Sequence, residues 1–258
     1  MTNIIKIGGK IIDQPDALQA FLRLLASIDG PKILIHGGGK LATHLADKLQ
    51  IPQQIIDGRR ITDRETLDVI TMVYAGLVNK SIVASLSGYG CTSIGLCGAD
   101  ANLILAQKRP IKDIDYGFVG DIISVQGNII SEWLTQGLTP VIAPITHDGK
   151  GQLLNTNADT MASAVAIAMS LYDEVRLVYC FEKSGVLLDV SDELSVIPQL
   201  NETKISELKS QGLIHSGMLP KLDNAVQTVK SGVKSVVIGK AEALKDLMTG
   251  ASGTNISL

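Results

Sequence analysis

The chain has 258 residues, of which 45% are hydrophobic, 19% charged and 3% aromatic, and its formal net charge is -3. That balance supports a sizeable buried core and excludes an intrinsically disordered chain. The scarcity of aromatic rings and the absence of a long basic run argue against nucleic acid or an anionic membrane as partner.

Three cysteines, Cys91, Cys97 and Cys180, show no C-x-x-C spacing, which predicts a reducing compartment and no zinc site. The four histidines are scattered, and none belongs to an H-E-x-x-H motif. The opening MTNIIKIGGK runs straight into a strand pattern, and no 18-residue apolar span is read from the sequence. The expectation is a cytoplasmic protein.

In chain order, NIIKIGG predicts a strand that ends in glycines. Pro15 opens a helix with an apolar face of Leu18, Phe21, Leu22 and Leu25, which Gly30 and Pro31 stop. KILIHGGG is the next strand, and Leu41, Leu45 and Leu49 mark the helix beyond it. Residues 63–86 read as one long or broken helix, and TSIGLCG as a strand. Residues 103–125 break the rhythm and predict a β-hairpin laid over the sheet. PVIAPI, EVRLVYC and VKSVVIG are further strands, and ADTMASAVAIAMSLY is a buried helix between the first two of them. GMLPKLDNAVQTVKSG and KAEALKDLMTG are helices that end in glycine. This alternation predicts an α/β fold with a largely parallel sheet, two lobes sharing that sheet, and a soft boundary near residues 145–170. Ligands of such sheets lie at the carboxyl ends of the strands, where Gly8, Gly9 and Gly37 to Gly39 fall.

Several residues there carry chemistry. Three glycines where a strand hands over to a helix serve a tight turn or, alternatively, an anion held against backbone N–H groups. Lys6 interrupts an apolar strand, so it faces either the glycine crevice or water at a sheet edge. The chain contains neither G-x-x-x-x-G-K-S/T nor a G-x-G-x-x-G after a strand, which removes the common nucleotide-binding readings. Asn155, Asn157 and Asp159 precede an apolar helix; capping accounts for one of them, not for all three. Lys221 stands at a helix start, against the helix dipole. Arg60 is a fork-shaped donor suited to a carboxylate. Together they suit phosphoryl transfer, in which positioning and charge neutralisation do most of the catalysis.

IIKIGGK, ILIHGGGK, DGRRIT, IGLCGADANL, YGFVGDI, LLNTNADTMASA and GMLPKLDNAVQTVKSGVKSVVIG occur in that order. The set resembles the acetylglutamate kinases of the amino acid kinase family, across nearly the whole chain. The resemblance implies an open αβα sandwich with a largely parallel central sheet. It implies that residues 1–160 bind the acyl amino acid and form a homodimer, and that 161–258 bind the nucleotide. The implied reaction is ATP-dependent phosphorylation of N-acetyl-L-glutamate at its γ-carboxylate, the second step of arginine biosynthesis. Mg²⁺ is held mainly by the ATP phosphates, with no resident metal site. By resemblance, Lys6 and Lys221 stabilise the transferring phosphoryl group and Asp159 orients them. Gly38, Gly39, Arg60 and Asn155 contact the acyl amino acid. Gly8 and Gly9 lie near the phosphates, and Glu182, Lys183, Ser184, Gly185, Val186, Leu187, Leu213, Ile214 and His215 contact the nucleotide.

The sequence departs from the family where CFEKSGVLLD replaces a run of the form Asp-Val-x-Gly-Val. The extra N-terminal helix of arginine-inhibited, hexameric members does not precede the first strand, so the expectation is a dimer that arginine does not inhibit. Alternatives are N-succinyl-L-glutamate as acceptor, another member of the same family, or a silent sensor. The hairpin is expected to cover the substrate, with Gly117 and Gly120 as hinges.

Overall fold

Alternation along the first strand decides the layering. The computed structural model describes residues 1–56, 59–189, 191–214 and 218–258. In β1 (Thr2–Ile7), Ile4 enters one hydrophobic core while Ile5 and Ile7 enter another. A strand buried on both faces belongs to a parallel sheet covered by helices. Lys6 shares the face of Ile4, and β1 is a central strand, so the edge-strand reading of Lys6 is corrected.

After β1 come the short α1 (Gly9–Ile12) and α2 (Pro15–Ala26), which buries Phe21, Leu22 and Leu25 as the pattern predicts. β2 (Lys32–His36) leads to α3 (Leu41–Lys48). The predicted leucine stripe needs correction here: Ala42 and Ala46 are the buried residues, and Leu49 is exposed just past the helix. Small side chains on that face let α3 lie close to its neighbours. β3 (Ile55–Ile56) and β4 (Arg59–Arg60) form a two-stranded antiparallel pair.

α4 (Arg64–Thr71), a π-helical stretch Met72–Val78 and α5 (Asn79–Gly88) are one uninterrupted helix. Among the described residues this helix alone is long and apolar enough to cross a membrane, contrary to the expectation that no such span exists. Its apolar side chains have a use within the fold, since Leu67, Ile70, Val73, Ile82 and Leu86 are buried in one core.

β5 (Ser93–Cys97) precedes the predicted hairpin, β6 (Ile104–Lys108) and β7 (Gly120–Val125). After α6 (Gly127–Thr135), the run PVIAPI divides at Pro144 into β8 (Thr139–Ala143) and β9 (Ile145–His147). Proline has no N–H to give a ladder, and here the chain changes sheets. β10 (Leu153–Asn155), α7 (Ala158–Met169) and β11 (Val175–Phe181) follow. Then come β12 (Gln199–Leu200), α8 (Glu202–Ser210), α9 (Leu219–Lys230), β13 (Ser235–Lys240), α10 (Leu244–Thr249) and β14 (Thr254–Ile256).

The main sheet has the order β12-β14-β13-β11-β1-β2-β8-β5, and only the β13–β14 pairing is antiparallel. Residues from α6, α7, α8 and α9 build the core on one face, and α2, α3, α4, α5 and α10 build the other. The result is the expected αβα sandwich. The hairpin belongs to a second sheet, β10-β9-β6-β7.

Candidate active site

The carboxyl ends of β1 and β2 are neighbours, which brings the two glycine loops into contact. A Cβ placed on Gly9 would lie 2.7 Å from the Gly39 Cα. Beyond Gly37 and Gly38 opens a cavity of about 190 Å³, lined also by Arg60, Tyr74, Arg109 and Asn155. Gly38 is roofed by Tyr74: a Cβ there would sit 1.5 Å from the Tyr74 Cε1. Tyr74 comes from the π-helical stretch, a distortion frequent at functional sites. Its phenol hydrogen-bonds Arg60, and burial pushes its pKa up against the pull of that guanidinium.

Arg60 also donates from Nη1 to Gln53 Oε1 and from Nη2 to Thr43 Oγ1 at 2.9 Å. These partners are neutral, so the guanidinium keeps its charge for a ligand. Asn155 donates its N–H to the Phe118 carbonyl at 2.8 Å and its Nδ2 to Thr62 Oγ1 at 2.9 Å. Replacing Arg60 by Lys keeps the charge and loses the fork. A carboxylate bound in this cavity should be held about tenfold more weakly, as equilibrium titration will read.

The hairpin loop covers this cavity, with Val119 and Arg109 among its lining residues. Two of its glycines are points of close packing. A Cβ on Gly117 would meet the Thr62 carbonyl oxygen at 2.2 Å, and one on Gly120 would meet Leu154 Cβ at 2.9 Å. Thr62 N–H donates to the Tyr116 carbonyl, and Phe118 N–H to the Thr62 carbonyl.

His36, immediately before the glycines, is fully buried and is no general base. Its Nδ1 lies 2.7 Å from the Gly37 carbonyl oxygen, which only accepts, so Nδ1 carries the proton. Its Nε2 then accepts from Asn79 Nδ2 at 3.1 Å. Burial lowers its pKa from 6.5 to about 4, partly opposed by the Gly37 hydrogen bond. Below pH 6.5 the unfolded chain binds this proton and the folded one does not. Stability should therefore fall as pH drops from about 6.5 towards 4, by about 3 kcal/mol from this group. Thermal melts of His36→Asn across that window should be flatter than those of the wild type.

The charged centre lies on the Ile4 face. Lys6 Nζ is 2.6 Å from Asp159 Oδ1, and Lys6 is only 7% exposed. Asp159 sits in the first turn of α7, whose end is capped by Asn157 Oδ1 accepting from the N–H groups of Asp159 and Thr160. Asn157, rather than Asn155, is the cap. Lys221, in the first turn of α9, lies 4.9 Å from the centroid of the Phe181 ring, and Lys6 lies 5.6 Å from it. Of the two lysines that the resemblance assigns to Asp159, the ion pair is with Lys6. Among the described residues, no carboxylate lies within ion-pair distance of Lys221.

On the other side of this centre is a cavity of about 300 Å³ lined by Gly8, Gly9, Phe181, Glu182, Lys183 and Gly185, among others. Glu182 pairs with Lys10, and Lys183 with Glu193 at 2.7 Å. Ser184 turns aside to Glu193 at 2.9 Å. Val186, Leu187 and Ile214 are buried and do not line the cavity; as apolar side chains they went to the core. Leu213 is exposed away from it. His215 lies outside the described residues. Cys180 lines this cavity too, and burial raises its thiol pKa to about 12, which rules out a thiolate nucleophile. Phe181, Tyr74 and Arg109 were missed from the sequence. Phe181, inside CFEK at the departure from the family pattern, was the one with a signal.

Residues 1–240 match the profile of the amino acid kinase family. The acetylglutamate kinase of Cytophaga hutchinsonii is 55% identical over 246 residues, 95% of this chain and 93% of that one. The acetylglutamate kinase of Bacteroides fragilis is 50% identical over 241 residues, 93% of this chain and 92% of that one. Among solved structures, the N-acetylglutamate synthase of Neisseria gonorrhoeae superposes with a TM-score of 0.82 at 23% identity, over 100% of this chain and 59% of that one, which is a likeness of fold. With a crevice that joins two glycine loops, two lysines and an aspartate, and with half-identical relatives along nearly its whole length, the chain belongs to the amino acid kinase family, on the branch of the acetylglutamate kinases.

Proposed function

We propose that the protein transfers the γ-phosphoryl group of ATP to the γ-carboxylate of N-acetyl-L-glutamate, the second step of arginine biosynthesis. One observation carries the reading: Lys6, Asp159 and Lys221 gather between two glycine-lined cavities at the carboxyl ends of adjacent strands. A glutamate-type carboxylate has a pKa of about 4.3 and is already ionised at neutral pH, so no general base is required. The difficulty is to bring two anions together, and fixed cations and backbone N–H groups reduce that repulsion.

Arg60 and Asn155 orient the acyl amino acid in the smaller cavity, on the lobe of residues 1–160. Gly8, Gly9 and the segment from Glu182 to Gly185 hold the nucleotide, on the lobe of residues 161–258. Among the described residues, no group of three carboxylate, histidine or cysteine side chains converges to hold a metal. A Mg²⁺ arriving with the nucleotide would neutralise phosphate charge. Met72 and Leu77, exposed on the long apolar helix, support a homodimer formed along it. The setting is cytoplasmic.

One observation favours a second acceptor. Arg109 gives Nε and Nη2 to Asp121, at 3.0 and 2.5 Å, while its buried Nη1 has no hydrogen-bond partner among the described residues. A donor left over in the acceptor cavity suits an acyl group with an oxygen at its far end, as in N-succinyl-L-glutamate. Turnover of Mg-ATP with each acyl-glutamate, trapped as the hydroxamate by hydroxylamine, tests both readings. Product with either acceptor supports the kinase, and the ratio of rates assigns the acyl group. Absence of product with both overturns the proposal.

A further inference from the structure

We infer that Phe181 is the positioning residue of the two lysines, its aromatic ring holding the Lys6 and Lys221 ammonium groups towards the reaction centre. The inference rests on the phosphoryl-transfer reading above.

Both Nζ atoms lie over one ring, at 5.6 and 4.9 Å from its centroid. Such distances are within the range of cation–π attraction. Lys6 has Asp159 as a second partner. For Lys221 the ring is the contact that the described residues provide. Two like charges in one crevice repel each other. A second carboxylate would hold them together, and would also cancel the positive charge that a phosphoryl group needs. An aromatic face attracts both cations and carries no charge of its own. The lysines are therefore gathered without being neutralised.

The ring is itself fixed. It stacks on Tyr179, with centroids 5.9 Å apart and planes 13° from parallel. The Tyr179 hydroxyl has a determined set of bonds. The Asp159 carbonyl oxygen, 3.1 Å away, only accepts, so it takes the phenolic proton. Asn224 Nδ2 only donates, to Tyr179 Oη at 3.2 Å and to Ser163 Oγ at 2.7 Å. Ser163 then gives its own proton to Tyr179 Oη at 2.9 Å. Asp159 and Ser163 belong to α7, and Asn224 to α9, one turn beyond Lys221. The support under Phe181 is thus tied to both helices that carry the charged groups.

The test replaces Phe181 by phenylalanines carrying one, two and three ring fluorines, which keep the shape and weaken the ring face stepwise. The expected result is a graded fall in kcat, about tenfold at the trifluoro ring, with both KM values held within about twofold. A kcat that stays flat across the series overturns the inference, since packing alone is preserved. A readout independent of turnover separates this from failure of the proposed reaction. Lysines are dimethylated with ¹³C, which keeps their charge, and the Lys6 and Lys221 signals are assigned with Lys6→Arg and Lys221→Arg. Both signals should be shifted upfield by the ring and return to the ordinary position in Phe181→Leu. Signals at the ordinary position in the unsubstituted protein overturn the inference whatever the activity.

Discussion

Replacing either Lys6 or Lys221 by alanine should lower kcat by about a thousandfold, with a much smaller change in either KM. A preorganised donor aimed at developing charge is worth roughly 10²–10³ in rate when lost, and a full cation in a half-closed crevice belongs at the upper end. The two substitutions differ in their structural cost. Lys6 is nearly buried and paired with Asp159, so its removal leaves Asp159 facing the crevice without a counter-ion. Lys6→Ala should therefore also lower Tm, while Lys221→Ala, which breaks no ion pair among the described residues, should leave the melt close to the wild type. Under the proposed mechanism the two lysines serve one transferring group, so the double variant should lose less than the product of the single losses. Single-turnover kinetics beside thermal melts will check this. A Lys221→Ala protein that keeps its kcat would remove Lys221 from the reaction.

Gly9→Ala should also be costly, by a different route. The added Cβ would stand 2.7 Å from the Gly39 Cα, a contact between two backbones. Neither chain can swing a side chain aside, so the glycine loops must move apart. Overpacking of this kind costs about 1–3 kcal/mol, or a few degrees of Tm in a chain of this size. The kinetic loss should be larger than the loss of stability. The two loops face the two cavities, and parting them by even a fraction of an ångström lengthens the path of the phosphoryl group. A fall of about a hundredfold in kcat/KM is expected, while Gly8→Ala should leave Tm unchanged, since a Cβ there meets no protein atom within 4 Å.

The strands were legible because each is an apolar run bounded by turn residues, and β1, β2, β5, β11 and β13 fall where those runs do. β12 and β14 are two and three residues long, and α8 is strongly polar, so none offered a period to read. Lys6 was ambiguous for a definite reason: residues on both sides of it are apolar, and only the sheet order shows that its strand is central. Arg60, Asn155 and Asp159 drew attention as polar residues beside turns, yet their roles came from resemblance. Tyr74 and Arg109 were beyond reach. Each reaches the site from a separate element, and an aromatic or arginine in isolation reads as core or surface. Phe181 is informative because its neighbours Glu182 and Lys183 already broke the family pattern.

The adjacency of β1 and β2 has a mechanical consequence. Neighbouring strands lie about 4.8 Å apart, a spacing fixed by backbone hydrogen bonds. The loop facing one cavity ends β1, and the loop facing the other ends β2. The sheet thus acts as a ruler, and under the proposed reading donor and acceptor are spaced by its lattice. Two loops anchored on paired strands keep a separation that the movement of a side chain or an outer helix does not alter.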